Sequence, residues 1–260
     1  MGDQQAVLYE VRDSVAWITL NAPERRNVLS SAVGKGLHDA FARVAAEDEV
    51  RAVVLTGTDP SFCAGADIKD PGTHADANIA DYLSKGHIGH FDMTRLHQPI
   101  IGAVNGHCFG AGFELALACD ILIASEQATF GIQHIRYGLY PAGGGAARFT
   151  QAVGKYRAMY YIMTGERFDA RTAFELGVLS KVVPHSGLLP AAEECARTIA
   201  GWSPVVVRYA KECVHGVFEQ PLAPVLEADQ YRNFSLYHTG DREEGHRAFV
   251  EGRQPDFRGQ

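Results

Sequence analysis

The stretch Ile100–Asp120, IIGAVNGHCFGAGFELALACD, decides how the rest of the chain is read. It opens with an apolar run, Ile100 to Val104, suited to a buried strand. Asn105-Gly106 then turns the chain toward a glycine-rich corner, Gly110-Ala111-Gly112, and Phe113 to Ala118 are good helix formers. A strand that passes through a bare corner into a helix start leaves backbone N–H groups unpaired. Those donors and the positive end of the helix dipole suit an anion or a developing oxyanion. Glu114 falls in the first turn after the corner, so a carboxylate is expected beside such a site.

Outward from this stretch, the same pattern recurs. Val7–Glu10 and Val15–Leu20 read as a hairpin around Arg12-Asp13-Ser14, and Asn21–Asn27 as a loop carrying Arg25 and Arg26. Ser30 or Ser31 caps an expected helix over Ala32–Glu47, with Val33, Leu37, Ala40, Phe41 and Val44 on one face. Ala52–Thr56 is a strand, and Ser61–Asp67 a second small-residue corner. Repeated strand–corner–helix units predict a largely parallel α/β arrangement.

Asp70–Asn78 reads as a polar loop and Ile79–Leu96 as a helix stopped before Pro99. Further strands are expected at Ile121–Ala124, Thr129–Gly131 and Val178–Val183. The glycine cluster Gly143-Gly144-Gly145 leads into a helix over Ala146–Val153, and Tyr156–Thr164 continues as helix. Asp169 caps Ala170–Leu176, with Gly177 as its stop. Beyond Pro184 the pattern is helical: Leu188–Ala200, Pro204–Val217, Leu222–Ser235, and Arg242–Glu251 behind an Asp241/Glu244 capping box. The chain is accordingly divided into a core over 1–184 and a helical C-terminal region over 185–260.

Composition narrows the function. The chain has 260 residues, 46% hydrophobic and 21% charged, typical of a globular protein. A net charge of −7 opposes nucleic acid as the main partner, since duplex binding needs unopposed Lys and Arg. The five cysteines lack CxxC spacing and predict reduced thiols in a cytoplasmic protein. No leader and no apolar run near ~18 residues is legible, so neither export nor a membrane span is expected.

Several chemistries fail on their own motifs. A dinucleotide fingerprint starting at Gly110 would need its third glycine at Leu115. The Gly143–Gly145 run lacks the Lys-Ser/Thr of a phosphate loop, and no GxSxG elbow is present. His87, His90 and His97 share one side of a helix, but His97 would lie about 10 Å along the axis from His90, too far to share an ion. No metal site is expected.

The segments FCAGADIK (Phe62–Lys69), AVNGHCFGAGFELALACD (Ala103–Asp120), FGIQHIRYGLYPAGGGAARF (Phe130–Phe149), TGERFDARTAFELGVLSKVV (Thr164–Val183) and EEGHRAFVEGRQPDF (Glu243–Phe257) resemble the crotonase, or enoyl-CoA hydratase-isomerase, superfamily. The resemblance spans nearly the whole chain in order. It implies a crotonase (ClpP-like) fold: a β-β-α spiral core with a helical C-terminal trimerisation region, the trimers often paired into hexamers.

The resemblance also implies a site. The amides of Ala66 and Ala111 would hold the thioester oxygen of an acyl-CoA, although the family usually has glycine where Ala111 stands. Arg25, Arg26, Ala64, Asp67, Ile68 and Lys69 would lie near the nucleotide and pantetheine arm of coenzyme A. Tyr140 would contribute to the acyl pocket or to packing. Glu114 matches one of the two acid/base glutamates of hydratases, and the second falls on His134, which is the chief departure. An imidazole exchanges protons near neutral pH, so a carboxylate–imidazole pair is a workable substitute. The activity implied is hydration of a 2-enoyl-CoA to a 3-hydroxyacyl-CoA, in fatty acid metabolism, with coenzyme A part of the substrate and no other cofactor. Alternatives are other enolate reactions on an acyl-CoA (retro-Claisen hydrolysis, decarboxylation or isomerisation), or a catalytically weak acyl-CoA-binding protein.

Overall fold

The structure is a computed structural model, and it describes residues 5–70 and 90–260. Among the described residues ten strands are formed: β1 Val7–Arg12, β2 Val15–Leu20, β3 Ala52–Gly57, β4 Ser61–Cys63, β5 Ile100–Val104, β6 His107–Phe109, β7 Ile121–Ser125, β8 Thr129–Gly131, β9 Phe168–Asp169 and β10 Lys181–Val183. The described helices are α1 Ser31–Ala46, α2 His90–Arg95, α3 Ala111–Leu117, α4 Gly145–Val153, α5 Lys155–Thr164, α6 Ala170–Glu175, α7 Leu188–Ala200, α8 Pro204–Glu219, α9 Leu222–Leu236 and α10 Gly240–Glu251.

The strands divide between two sheets. One has the order β1-β2-β3-β5-β7-β10, the other β4-β6-β8-β9. In the larger sheet only the β1–β2 hairpin is antiparallel, turned by Asp13 and Ser14 with φ of 50° and 61°. Each turn of the chain lays a long strand in the large sheet and then a short one in the small sheet: β3 then β4, β5 then β6, β7 then β8. This is the β-β-α spiral expected above. The residues that read as bare corners, Ser61–Asp67 and the segment after Asn105-Gly106, begin with the short strands β4 and β6. Gly106 has to be glycine, because a β-carbon there would overlap the Pro60 carbonyl.

Both faces of the large sheet are covered, which is why β3 and β5 are continuous apolar runs, buried along their whole length. On one face Val33, Leu37, Ala40, Phe41 and Val44 of α1 pack with Ala16, Ile18, Leu20, Val53 and Leu55. On the other, Leu188, Ala192, Ala196 and Ala200 of α7 pack with Val15, Trp17, Val54, Ile101 and Ile123. Between α3 and α4, Phe113 meets Phe130, Phe149 and Phe168 at ring separations of 5.4, 5.8 and 5.9 Å. Full burial of such a side chain stabilises the fold by about 1.5–3 kcal/mol.

Of the three expected helix caps, two form and one does not. Ser30 accepts from Val33 N–H, and Asp169 from Thr172 N–H at 2.8 Å, as the sequence indicates. The expected Asp241/Glu244 capping box does not form. Thr239 caps α10 instead, accepting from Arg242 N–H. Asp241 takes the amides of Arg258 and Gly259 at 2.7 and 2.9 Å, and Glu244 pairs with Arg253. The returning C-terminal tail offers these carboxylates more donors than the helix start does. Residues 71–89 lie outside the described residues, so the expected Asp70–Asn78 loop is seen only at Asp70, and of the Ile79–Leu96 helix only α2 is described.

One partly buried charge cluster bolts α8 to the core. Asp120, at the entrance to β7, accepts from Lys211 Nζ and His215 Nε2, both at 2.8 Å, and from Ile100 N–H at 2.7 Å. Lys211 also donates to the Gln98 carbonyl at 3.0 Å.

Candidate active site

The two glycine corners meet because the short strands that precede them pair. β4 and β6 run parallel, with Cys63 opposite Cys108. A β-carbon on Gly65 would sit 3.0 Å from the Phe109 carbonyl oxygen and 3.8 Å from the Ala111 nitrogen. One on Gly112 would overlap the Cys63 carbonyl. Glycine at both positions is what allows this approach.

Backbone hydrogen bonds around the corners follow a pattern. Leu29 and Ala66 form a parallel bridge, in which Leu29 N–H donates to Gly65 O at 2.8 Å and Asp67 N–H to Leu29 O at 3.2 Å. Such a bridge uses the groups flanking Ala66, so the N–H of Ala66 itself faces away from Leu29. Ala64 N–H donates to Arg26 O, and Gly110 N–H to Gly131 O. Ala111 is the first residue of α3, where no intrahelical acceptor exists. Among the described residues, the amides of Ala66 and Ala111 therefore have no backbone acceptor.

Glu114, on the first turn of α3, is 3% exposed. Its Oε2 lies 3.2 Å from Nε2 of His134, which opens the 3-10 turn His134–Tyr137. Its Oε1 accepts the Gly145 N–H at 2.9 Å, from the start of α4. The contact engages Nε2, while Nδ1 is buried and has no hydrogen-bond partner among the described residues. Gly110 has a φ of 52°, which favours glycine, and the His134 ring lies beside it, with Cε1 3.8 Å from where a β-carbon would stand. A carboxylate–imidazole pair thus borders the corner that carries Ala111.

Arg25, Arg26, Ala64, Asp67, Ile68 and Lys69 lie in or beside the first of these corners, where Ala64 N–H meets Arg26 O. Arg25 pairs with the buried Asp67 carboxylate, which also accepts from Lys69 N–H at 3.0 Å. Arg26, Ile68 and Lys69 are exposed. Tyr140 is 72% exposed and so does not serve packing; no described contact ties its phenol to Glu114 or His134. The loop is held by Asn27, which the sequence reading passes over. Asn27 is fully buried; it donates to the carbonyls of Thr58 and Ser61 at 2.8 and 2.6 Å and accepts from Ala22 N–H at 2.8 Å. Gly145 is a second residue not singled out, although a glycine run just before a helix was the signal for it.

Cys63 and Cys108, beside the corners, are fully buried and inert: burial pushes Cys63 up to about 12 and Cys108 well above the usual thiol range. Among the described residues no cluster of His, Cys, Asp and Glu is arranged to hold a metal ion, and no helix is long and apolar enough to cross a membrane.

Paired short and long strands spiralling to two convergent corners, with an acidic residue on the helix between them, define the crotonase superfamily of α/β enzymes. The family model described as enoyl-CoA hydratase/isomerase matches residues 10–260. The chain belongs to the enoyl-CoA hydratase/isomerase family. It is 39% identical over 249 residues to a mitochondrial enoyl-CoA hydratase of Pongo abelii, covering 95% of this chain and 85% of that one. A probable enoyl-CoA hydratase of Mycobacterium tuberculosis is 38% identical, covering 97% and 98%. The crystal structure of an enoyl-CoA hydratase from Bacillus anthracis superposes with a TM-score of 0.91 at 34% identity, covering 98% of this chain and 100% of that one.

Proposed function

We propose that this enzyme adds water across the double bond of a 2-enoyl-CoA, with Glu114 and His134 as its acid/base pair. The observation that carries this reading is the 3.2 Å contact between Glu114 Oε2 and His134 Nε2, next to the unspent amide of Ala111. A water held by the pair gives a proton to Glu114 as its oxygen attacks the β-carbon. The π electrons move toward the thioester oxygen, which the amides of Ala66 and Ala111 hold as an enolate. A protonated His134 delivers a proton to the α-carbon, and the proton on Glu114 then returns to the imidazole across their contact. The sum is one water added and both groups reset. The chain's own groups suffice for each step, with coenzyme A entering only as part of the substrate.

Arg25, Arg26 and Lys69 supply positive charge at the surface for the nucleotide phosphates, despite the acidic net charge. Ala64, Asp67 and Ile68 would meet the pantetheine arm beside these charges, and the exposed Tyr140 would be available to the acyl end. The C-terminal helices expose Val214, Phe218, Leu226, Tyr231, Phe234 and Tyr237, an apolar surface suited to assembly of trimers or paired trimers. The five free cysteines accord with a reducing, cytoplasmic setting, and fatty acid metabolism is the context such a reaction serves.

Turnover of enoyl-, β-keto- and malonyl-type CoA esters by the wild type and by Glu114→Gln tests this reading. Hydration of the enoyl ester, lost in Glu114→Gln, is the expected result. Unchanged hydration in Glu114→Gln overturns the role of Glu114. Turnover of the β-keto or malonyl ester alone would assign His134 to a retro-Claisen or decarboxylation reaction instead.

A further inference from the structure

Arg148 lies one turn into α4 and is a half-buried cation that makes no salt bridge with a described carboxylate. Its guanidinium folds back over the glycine corner, where Nη1 donates to the Gly143 carbonyl at 3.0 Å. It has room there only because Gly144, at φ of 95°, lacks a β-carbon; a methyl group would collide with Nη1. The peptide that follows carries the Gly145 N–H, which donates to Glu114 Oε1. Arg148 N–H also closes onto Gly144 O at 2.8 Å, so one residue grips the turn by side chain and backbone.

We propose that Arg148 is a positioning residue for Glu114: it fixes the glycine turn that aims the Gly145 amide at the carboxylate, and it brings a positive charge to the turn that holds Oε1. The inference rests on the reading of Glu114 as the base. Burial pushes the Arg148 guanidinium down, and the charge of Glu114 is the leading influence that pushes it back up, so the two groups feel each other through the protein. A nearby cation favours the ionised form of a carboxylate, which is the form that accepts a proton from water.

Other titratable groups on elements packed against α3 are Cys63 on β4, and Cys108 and His107 on β6. Both thiols are pushed up by burial and stay neutral. His107 is pushed down by burial and by Arg26 and Arg167, and it hydrogen-bonds to Thr129. Among the described residues, His134 meets Glu114 directly and Arg148 reaches it through the Gly145 turn.

The test uses the full-length enzyme and its Arg148→Gln and Arg148→Lys variants, with the Glu114 side-chain carboxyl followed by ¹³C NMR and assigned by loss of its signal in Glu114→Gln. Arg148→Gln should move the Glu114 titration midpoint up by about one pH unit, and Arg148→Lys should restore most of it. The acid limb of kcat for enoyl-CoA hydration should move up with it, with KM changed less than about threefold. An unmoved midpoint in Arg148→Gln overturns the proposal. If the midpoint moves while the wild type hydrates no enoyl ester, the electrostatic role stands and the hydratase reading falls. Should Arg148→Gln fail to fold, a wild-type-like midpoint in Arg148→Lys supports the charge role, and one displaced by a full unit overturns it.

Discussion

Gly145 and Glu114 are joined by a buried hydrogen bond of 2.9 Å across thirty-one residues of sequence, and the same proximity forbids a side chain at 145. A β-carbon there would lie 2.8 Å from both Cγ and Oε1 of Glu114. Gly145→Ala should therefore displace the carboxylate from His134. A loss of about 100-fold in kcat is expected, with thermal stability reduced by only about 1–2 kcal/mol. Steady-state kinetics beside a denaturant titration checks this; wild-type kcat in a folded variant would show that the carboxylate need not stay where it is.

His134→Ala should remove the proton partner and lower kcat for hydration by about 10²–10⁴-fold. His134→Glu offers a second carboxylate at hydrogen-bond range, where two like charges share one proton. Substantial hydration is expected to return in His134→Glu with a changed pH–rate profile. Full activity in His134→Ala would remove the imidazole from the chemistry.

Asn27→Ala strips four hydrogen bonds from a fully buried position, the fourth donated by the Thr58 hydroxyl, and strands the Thr58 and Ser61 carbonyls. The cost should be about 2–4 kcal/mol, since buried acceptors lose their donor. Because Arg26 O and Leu29 hold the Ala64–Asp67 segment, kcat for hydration should fall as well. Chemical denaturation and kinetics measured together would separate the two effects, and a variant as stable as wild type would refute the anchor.

Asp120 bears on stability at acid pH. Burial pushes its carboxyl up, but His215, Lys211 and the Ile100 amide together outweigh that and hold it below the ordinary carboxylate range. A carboxyl depressed in the folded state contributes stability that is complete above its unfolded value, near 3.8, and disappears as pH falls through the lower folded value. Unfolding free energy should therefore drop as pH falls below about 3.8 in the wild type, and less steeply in Asp120→Asn. That variant should also lose about 3 kcal/mol at neutral pH, because Lys211 is left without its partner. Equal acid slopes in the two proteins would place the titration elsewhere.

Exposed Phe218, Tyr231 and Phe234 should be covered in solution by further copies of the chain. Light scattering is expected to give a mass of three or six chains. Phe234→Glu should lower it, while a monomeric wild type at micromolar concentration would leave that surface unexplained.

What the sequence determined by itself was local or carried in contiguous motifs. The apolar runs of β3 and β5, the stripe on α1, the caps Ser30 and Asp169, and the spacing of Glu114 from its glycine corner are legible because each depends on residues a few positions apart. Family membership was legible for the same reason, from segments in order along the chain. The tertiary structure decided which groups meet. Short strands such as β4 and β6 have too few residues to announce themselves, and they are stabilised by pairing with each other. Asn27 and Gly145 reach backbone or a buried carboxylate far along the chain, and Arg148 grips the turn just before it, contacts that leave no periodicity to read. The Asp241/Glu244 pattern failed as a cap because the returning tail, placed by tertiary contacts, supplied stronger donors than the helix start.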